Sequence, residues 1–493
     1  MRSVGRVLMV GGALMWSGVA LAGRADVGGY FRVMTRPDLQ GGAGTLGYWN
    51  LYGRLLNEGP YAALEFRFDV LQPQPGTSEL WTSLHAKIEG GSIGNADPGN
   101  GNLSNLRLSQ VYTRAGNVLF PNVVWQLGTL DTYFGDLGLY DMRPAQIFVN
   151  TVGISARLEK GPVDLLLGAG DSGYALYGSN YNTVFTPGGK ARVRLGKRAE
   201  LGAGGELRYE PGVLGNTHAP YQTPDVDYED YLRGEVVQRY LEQYPGLEDQ
   251  FPDPEARTSL SGAAIGYLGF GGFGPVRWNN LFLRYEHLHP EKSTMETVDG
   301  RDYTIYIHDL TDERTQLTVG NELQLTVVPR RLDLVWGALY LNAQDGDNDL
   351  APSDLDRTAM STVLRMQAYA TDTVHVLVEG SVAQEQSHNG NAYREHKDSI
   401  FASEGGLPNA DGLEYGDTDT RITWQGKGGL VLNPLGPGIY TRPSLRILYG
   451  VQYSNQNNAF GNSFVDTLDQ YATFDAVEQH WHHLLALETE VWF

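Results

Sequence analysis

Aromatic and charged residues alternate at three places in the chain, in the stretches YFR, YGR and ETEVW. The residues concerned are Tyr30 with Arg32, Tyr52 with Arg54, and Glu490 with Trp492. Side chains two residues apart on an extended strand point to the same face. An aromatic ring stacks on the C–H face of a sugar, while charged groups exchange hydrogen bonds with its hydroxyls. These pairs therefore indicate a sugar-binding surface, although Tyr and Trp are also typical of the girdles at the edges of a membrane barrel.

Two groups of metal-binding residue types also occur, but neither has the spacing of a dedicated site. His480 and His482 alternate near the last strand, and Asp345, Asp347 and Asp349 supply oxygen atoms of the kind that calcium prefers. We interpret the histidines as part of a polar aromatic rim. The aspartates fit a solvated outer loop that can bridge divalent ions with lipopolysaccharide. We therefore assign no metal site and no cofactor.

No local motif of a hydrolase occurs in the sequence. The 11 histidines are spread along the chain, and no nucleophile elbow accompanies them. We predict that the protein is not an enzyme and assign no catalytic residues.

The start of the chain, residues 1–22, has the layout of a secretory signal peptide. Arg2 and Arg6 precede an apolar run, which ends in the small-x-small triplet ALA. We expect the mature chain to begin at Gly23. Without the two arginines, the 37 basic residues become 35 against 58 acidic ones, a net charge of 35 − 58 = −23. This balance argues against a nucleic-acid partner.

The rest of the chain is a succession of alternating segments joined by connections of two kinds. In YAALEFRFDV, apolar residues from Leu64 to Val70 alternate with charged residues from Glu65 to Asp69. Short connections such as EKGP and VPRR alternate with long polar ones. The long connections are residues 36–46, 71–104, 131–150, 171–188, 211–258, 289–314, 344–357, 385–420 and 455–480. This alternation indicates antiparallel hairpins with all the short turns at one end.

Nine long connections predict an all-β fold, an 18-stranded up-and-down antiparallel transmembrane β-barrel with short periplasmic turns and long extracellular loops. The barrel would span residues 23–493 in the bacterial outer membrane. The second strand would be Trp49–Leu56, and Leu80–Gly90 would belong to the second long loop. Within residues 211–258, apolar residues at helical spacing predict a short helix across the outer mouth.

The last strand, LLALETEVWF, carries apolar residues on one face and Glu488, Glu490 and Trp492 on the other. Pairing it with the first strand, DVGGYFRVMT, would leave no edge in the lipid. The strand resembles the C-terminal sorting signal of outer-membrane barrels, so we expect the β-barrel assembly machinery to recognise Phe493.

Four stretches resemble the maltoporin family of sugar-specific 18-stranded porins. They are GGYFR, LYGRLLNEG, YTRPSLRILYGVQYS and LETEVWF. The resemblance implies that Tyr30, Tyr52 and Trp492 belong to an aromatic track and that Arg32 and Arg446 are polar or structural arginines. Arg54 stands where the family often has an acid. The resemblance also implies a homotrimer.

The third long loop, residues 131–150, would fold into the barrel and form a constriction, as the same resemblance implies. The family's Arg/His-rich run is absent from this loop. The residues that stand there instead are Tyr133, Asp136, Tyr140, Asp141 and Arg143.

These features together indicate a porin that allows passive diffusion of small hydrophilic solutes, carbohydrates above all, surrounded by outer-membrane lipids and lipopolysaccharide. A general or cation-leaning porin is the alternative that the net charge of −23 favours. The long loops at 211–258 and 385–420 suggest a third reading, a non-conducting surface barrel for adhesion or polymer export.

Overall fold

A computed structural model describes residues 23–35, 39, 49–72, 79–91, 106–173, 183–210, 258–288, 292–298, 301–307, 314–345, 357–387, 420–455 and 480–493. The strands are β1 (Arg24–Thr35), β2 (Tyr61–Leu71), β3 (Trp81–Gly91), β4 (Arg107–Gly116), β5 (Val123–Thr129), β6 (Val152–Lys160), β7 (Val163–Asp171), β8 (Phe185–Leu195), β9 (Ala199–Glu210), β10 (Ser259–Phe273), β11 (Val276–Leu288), β12 (Lys292–Val298), β13 (Arg301–Ile307), β14 (Arg314–Val328), β15 (Leu332–Asp345), β16 (Arg357–Tyr369), β17 (Val374–Ser387), β18 (Thr420–Leu432), β19 (Ser444–Ser454) and β20 (Trp481–Trp492). All of them except β12 and β13 form one 18-stranded antiparallel sheet, and those two form a separate hairpin. In the part of the chain described, no helix is long and apolar enough to cross a membrane.

The sheet closes on itself because β1 pairs with both β2 and β20. The last residue completes the closure: Gly29 N donates to Phe493 O at 2.9 Å, and Phe493 N donates to Gly29 O at 3.1 Å. The Phe493 ring lies over Gly29, where a Cβ would overlap it. The closed 18-stranded barrel predicted from the alternation is therefore confirmed.

The two faces of the barrel differ in polarity, strand by strand. On β2, Leu64, Phe66 and Phe68 are exposed on the outer face, while Arg67 and Asp69 form an ion pair on the inner face. Lipid offers no hydrogen bonds to backbone groups, so a closed barrel with an apolar exterior is the form in which strands cross a membrane. The chain is a transmembrane barrel of the bacterial outer-membrane type.

The predicted strand at Trp49–Leu56 is wrong. Residues Trp49–Tyr52 form a 3₁₀ helix, and Gly53 and Leu56 have φ angles of 81° and 64°, which no strand accommodates. Leu55 and Leu56 are both buried, so the alternation expected of a strand fails in the structure. The first long connection therefore runs over residues 36–60 and not 36–46.

Residues 81–91 form the missing strand, β3, although the sequence placed Leu80–Gly90 in a loop. β3 pairs with β2 and β4 along its length. The turn before it, residues 72–80, is longer than most turns at that end of the barrel, which is why a criterion based on connection length assigned it to a loop. The second long connection is residues 92–106, and the two errors cancel in the count of 18 strands.

Several sequence predictions lie outside the described residues. These are the signal peptide at 1–22, the helix within 211–258, Asp347 and Asp349, and most of the loop at 385–420.

Candidate solute pathway in the lumen

Three connecting segments lie inside the barrel. They are the first loop segment (residues 49–60), the third loop (residues 130–151) and the inward turn (residues 433–443), which connects β18 and β19 at the periplasmic end. Buried apolar residues of the first two pack on inward-facing residues of the wall, and Ile439 brings the inward turn into the same core. The lumen is therefore narrowed by packed chain.

The first loop segment is fixed by the wall of β16 to β20. Lys427 Nζ donates to Tyr52 O at 2.8 Å and also pairs with Glu379 at 2.9 Å. The Tyr52 hydroxyl donates to Glu385 at 2.9 Å. Leu55 and Leu56 complete the attachment by packing against apolar residues of β17 to β20.

The third loop is fixed to the wall mainly through its own backbone, by side chains of β8, β9 and β14. Glu322 accepts a hydrogen bond from Leu139 N at 2.7 Å, and Glu206 accepts one from Phe148 N at 2.5 Å. Lys190 Nζ donates to Tyr133 O at 3.0 Å. Buried polar groups of a loop must find partners inside a barrel, and these wall side chains supply them.

The first loop segment and the third loop meet in the middle of the lumen. Arg54 N donates to Leu139 O at 2.7 Å. The carboxyl groups of Glu58 and Asp141 influence one another electrostatically at this junction. Burial raises the pKa of Glu58 to about 8, against the opposing effect of Arg32 and Arg54.

Burial alone would raise the pKa of Asp141, but Arg54 and Arg32 hold it below its usual value. The pKa values of the two carboxyl groups are therefore shifted in opposite directions.

An aromatic row runs along the inner wall where β20, β1 and β2 are neighbours. The Tyr30 ring lies 5.2 Å from the Trp492 ring and 5.7 Å from the Tyr61 ring, centre to centre. Trp492 is 64% exposed, whereas Tyr61 is buried. Tyr61 is not among the residues predicted from the sequence, although the alternation that puts Arg67 and Asp69 on the inner face of β2 includes it.

An ionic cluster flanks this row and is centred on Glu490. Its carboxylate accepts hydrogen bonds from the Tyr30 hydroxyl at 2.7 Å, from Arg54 at 3.0 Å and from Arg446 at 2.7 Å. Arg442 forms a further ion pair with it. The predicted residues Tyr30, Arg54, Glu490 and Trp492 are thus brought together.

Other predicted residues are placed differently. The Arg32 side chain is only 2% exposed and pairs with Glu58, so it holds the first loop segment to β1. Tyr52 lies away from the aromatic row, beside Glu385. Glu490 itself is 1% exposed, so it acts on the row through Tyr30 and Arg54.

The predicted residues of the third loop divide into two groups. Tyr140 is fully buried and bonds with Ser361 at 3.1 Å. Tyr133 and Asp136 are exposed, and the Arg143 guanidinium lies 4.4 Å from the centre of the Tyr133 ring. Tyr133 and Asp136 are therefore accessible to solvent, whereas Tyr140 is not.

A second platform of rings lies on the inner face of β3 and β4. The rings of His85 and Tyr112 stack at 4.7 Å, and the Arg114 guanidinium lies 5.0 Å from the Tyr112 ring. The sequence could have revealed it only if residues 81–91 had been recognised as a strand. Within the described ranges, no group of three or more His, Asp or Glu residues is arranged to hold a metal ion.

No protein-family model and no curated protein sequence matches the chain. Solved structures with a similar fold include the outer membrane channel DcaP of Acinetobacter baumannii, at 12% identity and a TM-score of 0.42, which covers 75% of this chain and 93% of that one. Pseudomonas aeruginosa OccD3 (OpdP) has 8% identity and a TM-score of 0.43, over 97% of this chain and 92% of that one. Wzi of Escherichia coli, an outer membrane protein involved in group 1 capsule assembly and described as a carbohydrate-binding β-barrel, has 11% identity and a TM-score of 0.39, over 98% and 86%.

Proposed function

We propose that the protein is a porin for passive diffusion of small hydrophilic solutes and that carbohydrates are its preferred solutes. The observation that carries the proposal is the row of Trp492, Tyr30 and Tyr61 beside the ionic cluster of Glu490, inside a narrowed lumen. A sugar ring can stack on exposed aromatic faces while its hydroxyls exchange water for polar groups at the edge of the row. No energy source is coupled to this movement.

The transport mechanism is repeated weak binding. A selective pore must bind its solute strongly enough to draw it in and weakly enough to release it. The exposed Trp492 at the periplasmic end and the partly exposed Tyr30 provide successive faces for stacking, and Tyr133 and Arg143 of the third loop provide further contacts. Arg32 and Glu490 act as positioning residues, since both are almost completely covered.

The proposal is tested by the block of ion current by sugars in a planar bilayer. Trp492→Ala should weaken the apparent affinity for the blocking sugar by about two- to tenfold, since a stacked aromatic contact contributes on the order of 0.5–1.5 kcal/mol. Trp481→Ala is the matched control, because Trp481 carries the same ring on the outer face of the same strand. Equal loss of affinity in both variants would argue against binding along the row.

The same experiment distinguishes the proposed function from two others. Open current without any sugar block would favour a general or cation-leaning porin, and reversal potentials in a salt gradient would then give its ion preference. Absence of current would favour a non-conducting barrel for adhesion or polymer export, a reading that gains weight from the three segments packed inside the lumen.

A further inference from the structure

Wall glycines lie under apolar side chains of the third loop. A Cβ built on Gly202 of β9 would lie 2.6 Å from the Phe134 ring, closer than real Cβ contacts. A Cβ on Gly320 of β14 would overlap the Leu137 side chain in the same way. Both loop residues are buried. Each glycine therefore leaves a recess that one loop side chain fills.

The pattern repeats on two further strands. A Cβ on Gly337 of β15 would lie 2.7 Å from the Tyr140 ring. A Cβ on Gly168 of β7 would lie 2.9 Å from the Ser155 side chain of the neighbouring strand and 3.2 Å from the Phe148 ring, so the wall and the loop bound this recess together. Tyr140 and Phe148 are both fully buried. We call Gly168, Gly202, Gly320 and Gly337 the socket glycines.

The recesses coincide with polar attachments of the loop backbone. Phe148, whose ring lies over Gly168, donates its N–H to Glu206. Leu139 N, next to Tyr140, donates to Glu322. Asn280 donates to the carbonyl of Asp136, next to Leu137, at 3.0 Å. The loop is thus held by side-chain packing and by backbone hydrogen bonds at the same points.

We propose that the socket glycines are positioning residues of the constriction. They let the third loop dock as a permanent lining of the barrel wall, so the loop is not a gate, and solutes pass only through the space that remains beside its exposed residues. The wall resists displacement by a larger residue, because each socket strand is bonded to a neighbour on both sides. A side chain added at a socket must therefore displace the loop. This inference concerns the position of the loop and does not depend on which solute the pore carries.

The experiment uses a single reporter cysteine, since the chain contains none of its own. Ile147→Cys puts the thiol in the third loop at a position that is 0% exposed, where a membrane-impermeant maleimide should label it slowly. Adding Gly320→Leu should raise the labelling rate at least about tenfold, because the loop can no longer close over the reporter. Gly380→Leu and Gly266→Leu are matched controls, since a Cβ at these glycines of β17 and β10 would meet nothing nearer than 4.0 Å.

A second substitution makes the test specific for the socket. Leu137→Ala, which removes the side chain over Gly320, should return the labelling of the Gly320→Leu variant towards the parent rate. If Gly320→Leu prevents barrel assembly, restoration of assembly by Leu137→Ala would equally show that the added side chain clashes with Leu137. Equal labelling of the socket and control variants, or failure of Leu137→Ala to restore either property, would overturn the proposal. Labelling needs no ion flow, so this result stands apart from that of the sugar experiment.

Discussion

Glu490 balances several positive charges in the lumen. It contacts the side chains of Arg54, Arg442 and Arg446 and is itself almost completely covered. A buried ion pair contributes little net stability compared with apolar residues, but loss of one partner leaves the other charges uncompensated. The residue is therefore a structural requirement of the ionic cluster beside the aromatic row.

Glu490→Gln should destabilise the barrel by about 3–5 kcal/mol, the usual cost of breaking a buried charge cluster. The free energy of unfolding in detergent and urea measures this. Asp26→Asn is the control, because it breaks the exposed pair with Arg24 and should change stability by only about 0–1 kcal/mol. Equal, small effects of the two substitutions would contradict the central role of Glu490.

The stability of the folded protein depends on pH through Glu58. Its pKa is about 8 in the folded protein and near the ordinary 4.5 when unfolded. Between these values the folded chain keeps a proton that the unfolded chain releases, so the contribution of Glu58 to stability falls as the pH rises through this window and is constant above it.

Glu58→Gln removes this titration while keeping the size of the side chain. We expect the unfolding free energy of the wild type, relative to this variant, to decrease from about pH 4.5 to about pH 8 and then level off. Parallel pH profiles for the two proteins would show that folding does not raise the pKa of Glu58.

At the scale of single elements, the strand β3 determines at which end of the barrel the connections before and after it lie. Its position puts residues 72–80 at the periplasmic end, with the chain termini, and residues 92–106 at the outer end. Because the chain has no cysteine, single cysteines can report this directly.

A cysteine at exposed Leu106 should react with an impermeant maleimide on intact cells, whereas a cysteine at exposed Glu79 should react only after the outer membrane is opened. Unfolded-state reactivity of both variants controls for intrinsic differences between the thiols. Labelling of both positions on intact cells would instead agree with one continuous outer loop over residues 71–104.

The first loop segment shows why the local sequence pattern wrongly predicted a strand at Trp49–Leu56. LYGRLL alternates like a strand, but Gly53 adopts a left-handed conformation because the Tyr52 and Gly53 carbonyls both approach Lys427. That interaction joins residues far apart in sequence, so it cannot be predicted from the local sequence pattern. Tyr52 and Arg54 reach the lumen nonetheless, through an inward-folded segment and not through strand parity.

At the scale of the whole molecule, the strand alternation was enough to predict a closed barrel. Leu64 and Phe66 face outward, Tyr30 and Arg32 inward, and Phe493 joins the two ends, as the sequence indicates. The contents of the lumen could not be predicted in the same way. The contact of Tyr140 with Gly337, for example, arises only in the tertiary structure. Neither residue, in its local sequence, indicates that the other will lie beside it.

Carbohydrate-selective diffusion is tested by the single-channel current of the purified wild-type protein in a planar bilayer, titrated with linear maltose-series sugars, sucrose and a charged oligosaccharide. We expect an open current that at least one neutral sugar blocks with saturation, because the aromatic row offers a limited number of stacking faces. A current that no sugar changes at any concentration would contradict carbohydrate preference, and absence of current would contradict the diffusion pathway itself.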